Sequence, residues 1–336
     1  MKKIIFCSIL LVLLVAGALA GGGWWYAHRP LAMKQAVAGF VVPKGAGMRQ
    51  AANAIAAAGV EVHPRLLAWL ARFSGRAREI KAGSYEVRAG ITPWQLILKL
   101  GAGEVSRGEI LLLEGWTFRQ VRAAVEKHPD LQADTVNLSE AEILARVGAR
   151  EKHAEGLFFP DTYVFDKHSG ALALLARAHR AMQTRLIGEW EGRASGLPLK
   201  SPYEALILAS IVEKETGRSE ERARIAAVFL NRLRAGMRLQ TDPTVIYGLG
   251  ENFDGNLRRR DLEADTPWNT YTRAGLPPTP IAMPGQESLR AVLHPEDSRE
   301  FYFVSRGDGS SAFSRTLEEH NQAVARYQRR RAVVNN

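Results

Sequence analysis

Ala209-Ser210-Ile211-Val212-Glu213-Lys214-Glu215-Thr216 is the stretch whose reading decides the C-terminal half of the chain. An apolar run, Leu206 to Val212, ends in two carboxylates two positions apart. On a helix such residues lie roughly 200° apart, so Glu213 and Glu215 cannot share a face. Glu215 continues the ridge of Leu208, Ile211 and Val212, whereas Glu213 continues Leu206, Ala209 and Ser210, a smaller and more polar line. A carboxyl on the bulky aliphatic ridge is the one more readily stripped of water. Desolvation raises its pKa and lets it hold a proton near neutrality, as a general acid must. The spacing favours Glu215. The alternative at this point is two solvated charges where the helix leaves the core.

Upstream, Gly192–Pro202 resets the chain, with Pro202 suited to a first helical turn. Ala171–Trp190 predicts a long helix, and a further helix is expected from Ser219 to Gly236, with Glu220 and Glu221 in its first turn. Asp242, before Pro243, reads as a helix N-cap. Pro277–Pro284 reads as a loop. Phe301–Val304 and Ala312–Ser314, around Gly307-Asp308-Gly309, predict a hairpin before a last helix. Arg326, Arg329, Arg330 and Arg331 are expected to end that helix, where cations suit the dipole.

In the N-terminal half one pattern recurs. Phe40-Val41-Val42, Ser84–Val87 and Ile110–Leu113 each run into a glycine (Gly45, Gly90, Gly115), and a glutamine follows five residues later (Gln50, Gln95, Gln120). Thr92 before Pro93, and Thr117, are candidate caps. Within residues 38–88 two helical patterns, Met48–Ala58 and Pro64–Phe73, lie between two strands. Such units resemble the LysM class of glycan-binding modules. Asp134 to Gly148 reads as a helix-rich connector.

The first residues admit two readings. Lys2 and Lys3, the apolar run Ile4–Ala20 and the triplet Ala18-Leu19-Ala20 fit a cleavable signal peptide. Extended to Ala27, the run is long enough to cross a bilayer, and Trp24-Trp25-Tyr26 sit where an interfacial aromatic belt belongs. The aromatic cluster favours a retained anchor, with the body after Arg29 on one side of the membrane. Lone Cys7 excludes a disulfide framework or cysteine-cluster metal site. The net charge of +10 suits polyanions, among them lipid headgroups and acidic wall polymers, but the chain carries no nucleic-acid-binding signature. No His-Glu-x-x-His, Gly-x-Ser-x-Gly or phosphate-loop motif occurs, so no metal or organic cofactor is expected.

Five further segments carry a resemblance: Glu155–Tyr163, Asn231-Arg232-Leu233, Gly236–Gly248, Trp268-Asn269-Thr270-Tyr271, and Gly275–Pro278 with Pro280-Ile281-Ala282. With Glu213-Lys214-Glu215 they closely resemble the YceG/MltG family of membrane-anchored endolytic murein transglycosylases, over essentially the whole chain. The resemblance places the catalytic acid on Glu215, in agreement with the helix faces. It implies a lyase that cuts the β-1,4 bond between N-acetylmuramic acid and N-acetylglucosamine in nascent strands. Glu215 would protonate the leaving oxygen and then accept the proton of the muramyl C6 hydroxyl, leaving a 1,6-anhydro end.

The expected architecture is α+β. Residues 1–28 form a cytoplasmic stub and transmembrane anchor, 38–130 a LysM-like region, 131–154 a helical connector and 155–336 the catalytic domain, facing the periplasm from the inner membrane. Gln240, Tyr247, Asn269 and Tyr271 are candidate sugar-binding groups, and Phe158, Phe159 and Tyr163 a candidate sugar-facing wall. Expected partners are peptidoglycan glycan strands, the membrane and peptidoglycan synthases, and not nucleic acid. Two rivals stand beside this reading. A muramidase-type hydrolase would draw a second carboxylate from Asp161, Asp242 or Asp265. A non-catalytic peptidoglycan-binding scaffold would need none.

Overall fold

The computed structural model describes residues 2–327; Arg329, Arg330 and Arg331 lie outside the described residues. The chain is a mixture of helices and short two-stranded sheets, and it divides into two compact units. The first comprises Met1–Glu109 with the short returns Pro129–Gln132 and Val164–Ser169. The second is the remainder. The third strand–glycine–helix segment, from Ile110 to the helix Phe118–Lys127, therefore belongs to the second unit. Its returning segments carry no repeat pattern and are tied in by backbone bonds, Lys167 N–H to the Ser106 carbonyl at 3.0 Å and His168 N–H to that of Asp130.

The first unit opens with the helix Lys2–His28, whose stretch Ile5–His28 is long and apolar enough to cross a membrane. Strand Val37–Val42 pairs antiparallel with Gly83–Arg88, Phe40 opposite Tyr85. Alternate residues of the first strand (Ala38, Phe40, Val42) point into the core, the period-2 pattern of a half-buried strand. Helices Met48–Ala57 and Pro64–Phe73 lie between these strands in sequence. They fill the same core through Ala51, Ala52, Ile55, Leu67 and Ala71.

The recurrent glycine-to-glutamine spacing has a local cause. Gly45, Gly90 and Gly115 all adopt left-handed φ (78°, 93° and 74°), which a side chain would strain. Two residues on, Thr92 and Thr117 cap helices Pro93–Ala102 and Phe118–Lys127, accepting the N–H of Gln95 and Gln120. Each glutamine side chain accepts the threonine N–H in return, at 3.0 and 2.9 Å. At Gly47, which has no side chain, only the glutamine half forms, from Gly47 N–H to Gln50 at 3.2 Å.

The second unit is built on helices Ala171–Glu191, Pro202–Glu215, Ser219–Arg234 and Gln286–Leu293. Ser201 caps the second of these, accepting the Glu204 N–H, with Pro202 at its first position. Its residues Ala205–Val212 are buried on every side. It is thus a core helix and not a half-buried one, which corrects the expectation that burial differs between its faces. The helix stops at Glu215, where Thr216 turns extended. The hairpin Tyr302–Ser305 with Ser311–Ser314 and the helix Leu317–Tyr327 follow as the sequence predicts.

Candidate active site

Glu215 ends the buried helix at the wall of an open cavity of about 490 Å³, lined also by Arg232, Gln240, Thr241, Asp242 and Tyr271. Its position follows from the fold: the core helix runs out of apolar residues one turn before its end, leaving the last carboxyl half-withdrawn from water. Burial pushes the Glu215 carboxyl up to about 7. The Thr241 hydroxyl, which donates to it, and the Arg232 guanidinium favour its ionised form. The Asp242 charge favours its protonated form.

The neighbours are pinned. Arg232, 8% exposed, spends Nε on the Phe301 carbonyl (2.6 Å) and Nη1 on that of Leu239 (2.7 Å). Among the described residues it has no carboxylate partner within ion-pair distance. Tyr271 donates its hydroxyl to Asp242 at 2.5 Å. Gln240 sits at φ +48°, a left-handed conformation uncommon for a residue with a side chain, and its N–H donates to the Thr270 carbonyl. Thr270 Oγ1 in turn accepts the Thr241 N–H at 3.1 Å. The Trp268–Tyr271 segment thus serves to hold Gln240 and Thr241 beside Glu215.

Glu213 is also withdrawn from water, its side chain 5% exposed. What separates the two glutamates is compensation. Glu213 meets Arg222 at 3.3 Å and accepts the Gly285 N–H at 2.9 Å, so both of its oxygens are spent on internal partners. Glu215 receives only one hydroxyl. The ridge argument therefore selects the same residue for a different reason.

The other candidates divide. Gln240 and Tyr271 line the cavity. Asn269 is fully buried: its Nδ2 donates to the carbonyls of Leu262 (3.0 Å) and Ala264 (2.6 Å), and its Oδ1 accepts the Tyr271 N–H, so it orders the loop that carries Tyr271. Phe158 is fully buried and stacked on Phe118 at 5.2 Å; Tyr163 is buried with its hydroxyl on the Phe159 carbonyl. Burial pushes the Tyr163 phenol up to about 12. The expected sugar-facing wall of Phe158, Phe159 and Tyr163 is corrected to interior packing: all three are buried, Phe158 against Phe118, Phe159 under the Arg185 guanidinium at 3.9 Å and Tyr163 beside that of Arg177. Tyr247 packs edge-on against Trp268 and meets the Glu155 carboxyl, away from the cavity lining.

The three alternative carboxylates also separate. Asp161 is exposed and accepts the Thr162 N–H; Asp265 is clamped by Arg273 at 2.8 Å and held below the usual carboxylate range. Asp242 lies in the cavity. It is the first residue of its helix, behind Thr241 as N-cap, so its expected capping role is corrected: its carboxylate serves Tyr271 instead.

Sequence reasoning missed a second perturbed glutamate. Glu155, 6% exposed, accepts the Phe118 N–H at 2.9 Å, and burial pushes it up to about 7. A signal was available: an acid abuts the apolar run Leu157-Phe158-Phe159, as Glu213 and Glu215 abut Leu206–Val212. In the unfolded chain this carboxyl ionises near 4.5, and in the folded one near 7. Its contribution to stability is therefore lost as pH rises between those values. Glu155→Gln is expected to leave stability near wild type at pH 4 and to raise it by roughly 3 kcal/mol at pH 8. Denaturant midpoints at the two pH values measure this.

The cavity thus brings a glutamate whose carboxyl burial has raised together with a second carboxylate, Asp242, and the Arg232 guanidinium. Residues 40–326 match the YceG-like family, and the chain belongs to that family. A relative from Bacillus subtilis (strain 168), named endolytic murein transglycosylase, is 30% identical over 310 residues, covering 85% of this chain and 83% of its own. One of the same name from Streptococcus pneumoniae serotype 2 is 25% identical over 85% of this chain and 57% of its own length. A crystal structure of a yceG-like protein from Listeria monocytogenes, 29% identical, superposes with a TM-score of 0.54 over 87% of this chain and 99% of that one.

Proposed function

We propose that this protein is an endolytic murein transglycosylase, a lyase that cuts the β-1,4 bond between N-acetylmuramic acid and N-acetylglucosamine within nascent strands and so ends their elongation. The observation that carries the reading is the Glu215 carboxyl, raised to about 7 in an open cavity between Asp242 and Arg232. One carboxyl acting as acid and then as base must reach both protonation states near neutral pH. Asp242 favours the protonated form, from which the leaving oxygen takes its proton. Arg232 and Thr241 favour the carboxylate, which then accepts the proton of the C6 hydroxyl as that oxygen closes on the anomeric carbon. The relatives' names support the same substrate.

In this reading Gln240 and Tyr271 bind the sugar beside the acid, and the strand–helix–helix–strand unit around residues 38–88 is a LysM-like glycan contact. The helix Lys2–His28 is a retained inner-membrane anchor, the body lies in the periplasm, and peptidoglycan synthases are its partners. The muramidase-type hydrolase stays as a second reading because Asp242 lines the same cavity as Glu215.

The test of internal cutting is the length distribution of uncrosslinked glycan strands during digestion by the reconstituted protein. Mid-length fragments before disaccharides are the expected result. Disaccharides released from the start contradict an endolytic enzyme, and strands bound but never shortened contradict an enzyme of any kind.

A further inference from the structure

The helix Pro64–Phe73 buries Leu67 and Ala71 completely, yet it leaves Leu66, Trp69 and Phe73 exposed at 49%, 57% and 78%. At 100° per residue these three fall within an arc of about 60° on the side away from the core. Trp69 and Phe73 stack on each other, ring centroids 5.3 Å apart, and touch no other ring among the described residues. Arg65 and Arg72, both exposed, flank the arc on one edge, with Arg76 and Arg78 just beyond the helix end. Arg76 is paired to Glu79. An exposed apolar stripe edged by arginines is the pattern of a helix lying in a headgroup layer.

The place of this helix says what covers the stripe. Directly after the N-terminal apolar helix, the segment Ala32–Lys34 is tied to Gly59–Glu61: Glu61 N–H donates to the Ala32 carbonyl at 2.8 Å and Lys34 N–H to that of Gly59 at 3.0 Å. The stripe helix starts at Pro64, three residues after Glu61, with His63 as its N-cap. Ala27 is buried in the same unit. The stripe helix, ~15 Å long, therefore begins at the point where the apolar helix ends. Trp24 and Trp25 stand exposed there, and the Arg29 guanidinium lies 5.0 Å from the Trp25 ring.

We infer that Leu66, Trp69 and Phe73 form a second membrane contact, dipping into the interface of an anionic bilayer beside the anchor. The inference rests on the reading of Lys2–His28 as a retained anchor. It gives the first unit two attachments to the lipid surface, a span and an interfacial helix, so the unit is held against the membrane and cannot swing freely on a tether. Arginine on the flank calls for anionic headgroups, and the exposed tryptophan and phenylalanine between them for the apolar layer beneath.

The test uses the full chain carrying Cys7→Ser, reconstituted in vesicles of phosphatidylethanolamine and phosphatidylglycerol, with single nitroxide labels at Val12→Cys, Trp69→Cys, Phe73→Cys or Arg49→Cys. Positions 69 and 73 are exposed, so the changes leave the core intact, and circular dichroism checks this. Collision with dissolved oxygen is expected to exceed collision with an aqueous nickel chelate at positions 12, 69 and 73. The reverse is expected at position 49. Replacing phosphatidylglycerol by phosphatidylcholine should weaken the protection at 69 and 73, as loss of headgroup charge predicts. Lipid exposure at position 12 with water exposure at 69 and 73 overturns the inference while the anchor stands. Water exposure at position 12 as well removes the anchor and the inference together. Protection at 69 and 73 that needs added glycan strands, or spin–spin broadening between labelled chains, assigns the face to glycan or to a second copy and also overturns it.

Discussion

Replacing Glu215 by glutamine is expected to lower the rate of glycan cleavage by about three orders of magnitude, the middle of the range for loss of a general acid. The amide fits the same space and still accepts the Thr241 hydroxyl, but it has no proton to give at neutral pH. Stability should not fall. The carboxyl is raised to about 7 by desolvation, so above that pH the wild-type fold holds an ionised group at a cost the amide does not carry. The expected result is a variant that binds strands, unfolds at the same or higher denaturant concentration at pH 8, and does not cut. In the wild type, cleavage should decline as pH rises through about 7, because the acid form is then lost. Cleavage retained in Glu215→Gln would take the acid role away from this residue.

Phe158→Ala should act in the opposite way, on stability and not on chemistry. Phe158 is fully buried, stacked on Phe118 and close to the His179 ring. Truncating a buried phenylalanine costs about 3–5 kcal/mol through lost burial and the cavity left behind. Chemical denaturation reads that loss as a lower midpoint, with strand affinity of the folded fraction unchanged. Lost affinity at full stability would return Phe158 to the sugar-facing wall that its sequence suggested.

Those two residues mark how far the sequence could be read. Local devices were legible because their causes are local. The glycine-to-glutamine spacing encodes a left-handed turn and a capping box, so helix starts at Pro93 and Phe118 followed from it. Pro202 and the hairpin near Gly307 were equally plain. The faces of a single helix singled out Glu215, although its burial proved all-round and the distinction lay in Arg222 and Gly285, partners 9 and 72 residues from Glu213.

Nonlocal facts were not legible. Aromatic rings after Glu155 suit a sugar platform and a core equally, and only packing against Phe118 decides. Asn269 has the chemistry of a sugar ligand but spends it on loop carbonyls. Asp242 has the chemistry of a cap, but Thr241 holds the N-cap position, fixed through Thr270, and gives its hydroxyl to Glu215 instead of to the helix. The border at Glu109 depends on segments that return from residues 129–132 and 164–169, which no repeat announces.

The central claim is that Glu215 works alone, as acid and then base, and it is tested most directly by the ends of the product strands. Uncrosslinked glycan digested by the full-length protein in vesicles, and resolved by mass spectrometry, should carry 1,6-anhydro-muramyl ends, which weigh one water less than hydrolysed ends. Reducing muramyl ends would contradict the claim. They would make the protein a hydrolase that activates water, with Asp242, in the same cavity as Glu215, as the second carboxylate.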